Sequence, residues 1–264
     1  MDGKARVQLV KDSFPDRPAF DTALSRAILL RVGAGALPET VRLGRPGPMV
    51  AFGRQDVASA NYEAAVRAAR AGGFEAVERL AGGRAAVFHE RTIAIAHAVA
   101  DHDPKPRTRS RFEEVAQLVA NALSTLGIDA RVGEVKGEYC PGEHSVNARG
   151  VVKLAGFGQR LIKGAAHVGG VVVVAGSDRV RNILVPVYEA LELDWDPATV
   201  GSVEDELGSG DLAAVERAIL EALVARYELE EATFDAETLA LAEQLAARHR
   251  SPEPEGFVPG VSRA

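Results

Sequence analysis

Apolar positions recur at helical spacing over 18–32, where Phe20, Leu24, Ala27 and Ile28 share one face and Gly33 and Gly35 stop the run. Two short apolar stretches at 41–43 and 49–52, joined through Pro46-Gly47-Pro48, predict a strand pair. A helix follows over 61–70, with Asn61 as cap and Gly72-Gly73 as its end. Strands are expected over 92–99, 128–132 and 171–174. A helix is expected from a capping box at Ser110 and Glu113, with Phe112, Val115, Val119, Ala122 and Leu126 as its buried stripe and Gly127 as its stop. Asn147 to Gly150 reads as a turn that folds the strand bearing Lys153 back on the segment before it, with Val151, Lys153 and Ala155 on one face.

This mixture predicts an α/β (α+β) fold, a mixed, largely antiparallel sheet packed with helices, over residues 15–195. After Trp195 the chain turns acidic and alanine-rich, so residues 196–264 are expected as a C-terminal extension with helices around 211–227 and 235–249 and a Pro-rich tail. The apolar run 165–176 is too short to cross a bilayer and reads as a buried strand.

Composition narrows the class. With 264 residues, 47% hydrophobic and 26% charged, the chain has the make-up of a globular protein. A net charge of −6 argues against general nucleic-acid binding. One cysteine excludes an internal disulfide, no leader-like or membrane segment is evident, and the expected location is cytoplasmic.

That cysteine, Cys140, lies between Tyr139 and Pro141-Gly142, a turn that would leave a thiol reachable. By composition alone a lone cysteine is more often a small buried hydrophobe, by roughly two to one. The turn at 147–150 brings Lys153 back towards it, and a cation beside a thiolate suits acyl transfer: it lowers the thiol pKa and stabilises an oxyanion. Upstream, Gly82-Gly83 permits close approach to the backbone, with Arg79 and Arg84 offering charge for a carbonyl, carboxylate or phosphate, although paired glycines more often mark a simple turn. His89 reads more readily as a structural histidine than as a base, and no His/Cys spacing suggests zinc.

Tyr139-Cys140-Pro141-Gly142, followed by Lys153-Leu154-Ala155-Gly156 and Gly158-Gln159-Arg160, resembles the active-site hairpin of the biotin/lipoate protein ligase superfamily. Within it, the chain is most similar to the cysteine-dependent lipoyl amidotransferase type, the octanoyl-(glycine cleavage protein H):protein N-octanoyltransferases. Residues 79–87 resemble that family's acyl-binding motif, with Leu80 in place of its second arginine and Arg84 in place of its third glycine. The resemblance implies a biotin/lipoyl ligase-like catalytic domain with Cys140 as nucleophile and Lys153 as the residue that holds the acyl carbonyl. It implies Arg79, Gly82, Gly83, Gly156, Gln159 and His89 around the substrate.

The implied activity moves an octanoyl or lipoyl group through a cysteine thioester to a lysine of a lipoyl domain, with no cofactor and no metal. The donor would be an acylated glycine cleavage protein H or acyl carrier protein, and the acceptors lipoyl domains of 2-oxoacid dehydrogenase complexes. An ATP-dependent lipoate-protein ligase, needing ATP and Mg, is the alternative, and the phrase Phe88-His89 resembles those enzymes. A non-catalytic lipoyl-protein-binding homologue is a second alternative. Lys105, Arg107, Arg109 and Arg111, with Arg149, Arg160 and Lys163, are expected as a basic rim for an acidic protein partner.

Overall fold

A computed structural model describes residues 4–253, so most of the expected Pro-rich tail lies outside the described residues. β1 (Ala5–Val10) leads into α1 (Pro18–Gly33), which buries Phe20, Leu24, Ala27 and Ile28 as its spacing predicts. Then come β2 (Thr40–Gly44), β3 (Met49–Phe52), α2 (Arg54–Val57), α3 (Tyr62–Ala71), β4 (Glu75–Glu78), β5 (Ala86–Phe88) and β6 (Thr92–Ala100). α4 (Thr108–Thr125), β7 (Ala130–Val132), β8 (Val146–Ala148), β9 (Val152–Ile162) and β10 (Ala165–Val173) precede α5 (Ser177–Ala190) and α6 (Val203–Leu207). α7 (Leu212–Arg226), β11 (Tyr227–Ala232) and α8 (Ala236–Ala246) follow, with α7 and α8 capped by the carboxylates of Asp211 and Asp235.

The main sheet runs β11-β1-β2-β6-β10-β9-β8-β7, and a small sheet runs β4-β3-β5. In the main sheet only β1 pairs in parallel, with β11 and β2; the rest is antiparallel, as expected. Alternation then divides its faces. Val41, Leu43, Ile93, Ile95, Val168 and Val172 share the main core with buried residues of α4 and α7. Arg42, Ala94, Ala96, His167 and Gly169 point the other way, into a cavity.

Several local expectations fail for identifiable reasons. β2 and β3 do not pair but lie in different sheets. Pro46 and Pro48 have no N–H to extend a ladder, and Gly47 packs so tightly on Pro15 that a Cβ would lie 1.9 Å from its carbonyl oxygen. The capping box is absent: α4 starts earlier, at Thr108, so the Ser110 hydroxyl donates to Arg107 O at 3.1 Å and Glu113 pairs with Arg109. Asn61 precedes α3 without a side-chain cap bond. α5 has no counterpart among the predicted elements; Pro186 stands inside it, where a helix is not expected to tolerate one. The residues after 195 add β11 to the edge of the main sheet and α7 to its core, while α8 packs its buried face against α1.

Candidate active site

The cavity, of about 880 Å³, is floored by β6, β9 and β10 and walled by α1, β2, the small sheet, residues 79–83 and the Cys140 turn. Most of its lining is apolar, including Met49, Leu80, Phe88, Phe112, Phe157 and Leu161. Such a space takes a hydrocarbon chain with few polar anchors.

Cys140 sits in the turn between β7 and β8 with φ of +42°, a left-handed conformation that a non-glycine residue keeps only when its surroundings enforce it. Both of its backbone polar groups are gripped by side chains. Its N–H donates to the Tyr188 hydroxyl at 2.9 Å, and its carbonyl accepts from Lys153 Nζ at 2.8 Å. The Tyr188 hydroxyl in turn donates to Ala85 O at 3.0 Å, so one phenol from α5 joins the Cys140 turn to the glycine loop. Tyr139 is buried behind the turn, edge-on to Trp195.

Lys153 reaches this turn because β8 and β9 form the expected hairpin. Arg149 and Gly150 both have positive φ, Val151 N–H donates to Ala148 O, and Asn147 pairs with Lys153 across the strands. Val151 itself closes the turn and is exposed, so it does not share the buried face of Lys153. The ammonium is buried and spends its three protons on Glu138 Oε1 at 3.0 Å, Tyr139 O at 3.0 Å and Cys140 O at 2.8 Å. Glu138, also buried, accepts as well from the Ser145 hydroxyl at 2.5 Å and from the amides of Gly142 and Val135, both at 3.1 Å. The Cys140 turn is thus built around one buried ion pair.

The sulfur faces the glycine loop. Sγ accepts from the Arg84 amide at 3.2 Å and from Arg79 Nη2 at 3.5 Å, and the same guanidinium donates to Gly82 O. Gly83 has φ of +100°, and a Cβ there would lie 2.0 Å from Arg79 Nη2 and 3.0 Å from Sγ. The close approach that the glycines permit is therefore, at Gly83, by the protein's own guanidinium and thiol. Gly82 stays open. Arg84 in place of a glycine is tolerated because its main-chain N–H makes the contact. Its side chain turns away to Asp56, at 3.4 Å. Burial pushes the Cys140 thiol up, but the charges of Arg79 and Lys153 and the Arg84 amide outweigh it and hold the thiol below its ordinary value.

The structure brings together Cys140, Lys153, Arg79, Gly82, Gly83, Gly156 and Gln159, all of which line the cavity. Gly156 leaves room for the lysine: a Cβ there would lie 2.8 Å from Lys153 Cε. Gln159 secures the first turn of α4, donating to Thr108 O at 2.6 Å and accepting from Arg111 at 3.1 Å. His89 does not join them. It is buried outside the lining, its Nδ1 accepts from the Arg91 amide at 3.2 Å, and burial pulls its pKa down to about 4, with Arg179 adding to the shift. Of the expected basic rim only Lys105 and Arg109 line the cavity. Arg107 and Arg111 are bound to Asp101, Arg149 to Glu206. Glu138 and Tyr188 escape sequence reasoning. Glu138 stands beside the motif with no pattern marking it, and Tyr188 is 48 residues away on an unpredicted helix.

A two-sheet fold whose apolar cavity opens on a positioned thiol and lysine defines the class. Residues 17–224 match the lipoyl protein ligase A/B catalytic domain, and the chain belongs to that family. A relative from Geobacillus kaustophilus, named octanoyl-GcvH:protein N-octanoyltransferase, is 28% identical over 172 residues, covering 64% of this chain and 60% of the relative. The match thus spans less than two thirds of that relative's length. Among solved structures, lipoate-protein ligase A bound with ATP aligns at a TM-score of 0.74 and 20% identity, covering 93% of this chain and 95% of that one. A bi-partite lipoate protein ligase from Thermoplasma acidophilum aligns at 0.70 and 19%, covering 94% and 93%. These likenesses establish the fold.

Proposed function

We propose that the protein is an acyltransferase that carries an octanoyl or lipoyl group as a thioester on Cys140 and delivers it to a lysine of a lipoyl domain. The observation that carries this reading is the sulfur itself, at the wall of an apolar cavity and in contact with a guanidinium and a main-chain N–H.

The thiolate attacks the carbonyl carbon of the donor's acyl-lysine amide. As the tetrahedral intermediate collapses, the C–N bond breaks and the donor lysine leaves as an amine, taking up a proton. The acceptor lysine, as the free amine, then attacks the thioester, the C–S bond breaks, the thiolate returns and the surplus proton leaves with solvent. One amide is exchanged for another, so no phosphate bond is needed. Arg79 supports the thiolate, and Lys153, with its protons committed, positions the turn. Gly82, open in the direction a side chain would take, leaves space for the acyl carbonyl, while Gly156 makes room for Lys153 and Gln159 fixes the wall beside it.

The donor that the relative's name suggests is glycine cleavage protein H, and the acceptors are lipoyl domains of 2-oxoacid dehydrogenase complexes. The ligase alternative, with ATP and Mg, drew on Phe88-His89, and the burial of His89 away from the cavity lends it no support. The deciding experiment incubates the protein with octanoylated glycine cleavage protein H and an apo lipoyl domain, with and without ATP. Transfer without ATP, through a hydroxylamine-sensitive adduct on Cys140, is the expected result. Transfer only with ATP would overturn it.

A further inference from the structure

We infer that Arg42, locked to Asp21, is the stop that sets the length of acyl chain this enzyme accepts. The inference rests on the acyl-transfer reading and goes beyond it, from which bond reacts to which chain fits.

Strand register draws a trough across the cavity floor. Arg42 on β2 pairs with Ala96 on β6, Ala96 with Gly169 on β10, and Gly169 with Gly158 on β9. Paired residues point to the same face, so these four side-chain positions form one row perpendicular to the strands. Glycine and alanine occupy three of them. The row is low and not bare: the His167 ring leans over Gly169 from one side, its Nε2 2.8 Å from where a Cβ would lie, Val171 stands on the other, and all three line the cavity.

The two ends differ. At Gly158 the trough meets the catalytic loop: a Cβ there would lie 2.9 Å from Ala81 Cβ and 3.1 Å from Gly82 O. Arg79 of that loop contacts Sγ. At the far end stands the largest side chain of the row, and it cannot swing aside. Arg42 donates to Asp12 O at 3.1 Å, to Asp21 O at 2.9 Å and to the Asp21 carboxylate, and it lies against the Phe234 ring at 5.5 Å. Asp21 is held too, accepting from the Phe14 amide at 2.9 Å. A guanidinium with all of its nitrogens engaged offers a methyl terminus only a firm wall and no spare donor.

The dimensions match a medium-length chain. Three strand intervals put about 14 Å between the end backbones. The walls occupy part of that, and eight carbons in staggered extension, with bonds of about 1.5 Å, reach about 9 Å. A twelve-carbon chain would run into Arg42 before its carbonyl reached the sulfur.

The test uses glycine cleavage protein H carrying hexanoyl, octanoyl, decanoyl or dodecanoyl groups on its lysine, and reads the rate of Cys140 acylation by intact mass. Wild type should favour octanoyl over dodecanoyl by at least about tenfold, the size of a pocket's response to misfitting methylenes. Arg42→Ala with Asp21→Asn, which keeps the acceptor for Phe14 and leaves no lone buried charge, should remove that preference. Ala96→Leu, which blocks the trough midway without touching the ion pair, should shift the optimum to hexanoyl, and it decides the matter if the double variant does not fold. A wild type that takes dodecanoyl as fast as octanoyl, or an Ala96→Leu profile like that of wild type, overturns the stop while leaving acyl transfer standing. Absence of any adduct in wild type overturns acyl transfer and the stop with it.

Discussion

Lys153 Nζ donates to the carbonyl oxygen of Cys140 at 2.8 Å, so the lysine holds the main chain of the residue proposed as nucleophile. Its remaining protons go to Tyr139 O and Glu138, which makes the ammonium a keystone of the turn. An oxyanion role alone would have let Lys153→Ala fold normally. A buried pair predicts otherwise.

Lys153→Ala strands the Glu138 carboxylate and should cost about 3–5 kcal/mol of stability. Lys153→Met with Glu138→Gln should recover most of that, yet acylate Cys140 about a hundredfold more slowly, because the turn is no longer held in place. Urea denaturation and single-turnover mass spectrometry separate the two effects. A Lys153→Ala protein as stable as wild type would show that the pair does not hold the turn.

Arg79 is the first charge holding the thiol below its ordinary value. Removing a cation favours the neutral thiol, so Arg79→Met should move the pH profile of iodoacetamide alkylation to higher pH. Arg84→Ala, which keeps the amide at Sγ, should move it little. Equal shifts in both would assign the effect to general charge and not to contact.

Tyr188→Phe removes the hydroxyl that joins Cys140 N to Ala85 O. It should cost about 1–3 kcal/mol, the price of leaving two buried groups without a partner. Acylation should slow as the turn and the glycine loop lose their common anchor. An unchanged acylation rate in a folded Tyr188→Phe protein would reduce the phenol to packing.

His89 and His167 are buried, and burial pulls each pKa down to about 4, with nearby positive charge adding to the shift. An unfolded histidine titrates near 6.5, so between about pH 6.5 and 4 the unfolded chain binds more protons and stability falls as pH drops, by on the order of 3 kcal/mol per histidine. Below about pH 4 the loss is complete. Urea midpoints at pH 7, 5.5 and 4.5 should trace the decline, to which buried His249 adds in the same direction, and His89→Asn should make it shallower.

Lys105 and Arg109 are exposed at the cavity, Arg109 paired with Glu113 on its own helix, whereas Arg107 lies outside the lining and is tied to Asp101. Charge reversal at Lys105 and Arg109 together should raise the KM for an acidic lipoyl domain and weaken its dependence on salt, without preventing the Cys140 adduct. Kinetics indifferent to both would make the loop a solvated connection.

The lysine's route to Cys140 is legible in the sequence because it is local. Asn147 to Gly150 specify a tight turn, alternation along β9 fixes the face of Lys153, and Tyr139-Cys140-Pro141-Gly142 marks the partner segment. α1 is legible for the same reason, its period being a property of neighbouring residues. What tertiary structure alone decides lies between distant segments: the hydroxyl of Tyr188 on the Cys140 amide, the burial of His89 away from the cavity, and the row from Gly158 to Arg42. Each depends on strand register or helix docking. A shift of one residue would turn Arg42 from the cavity to the core, and no local pattern records which register the packing selects.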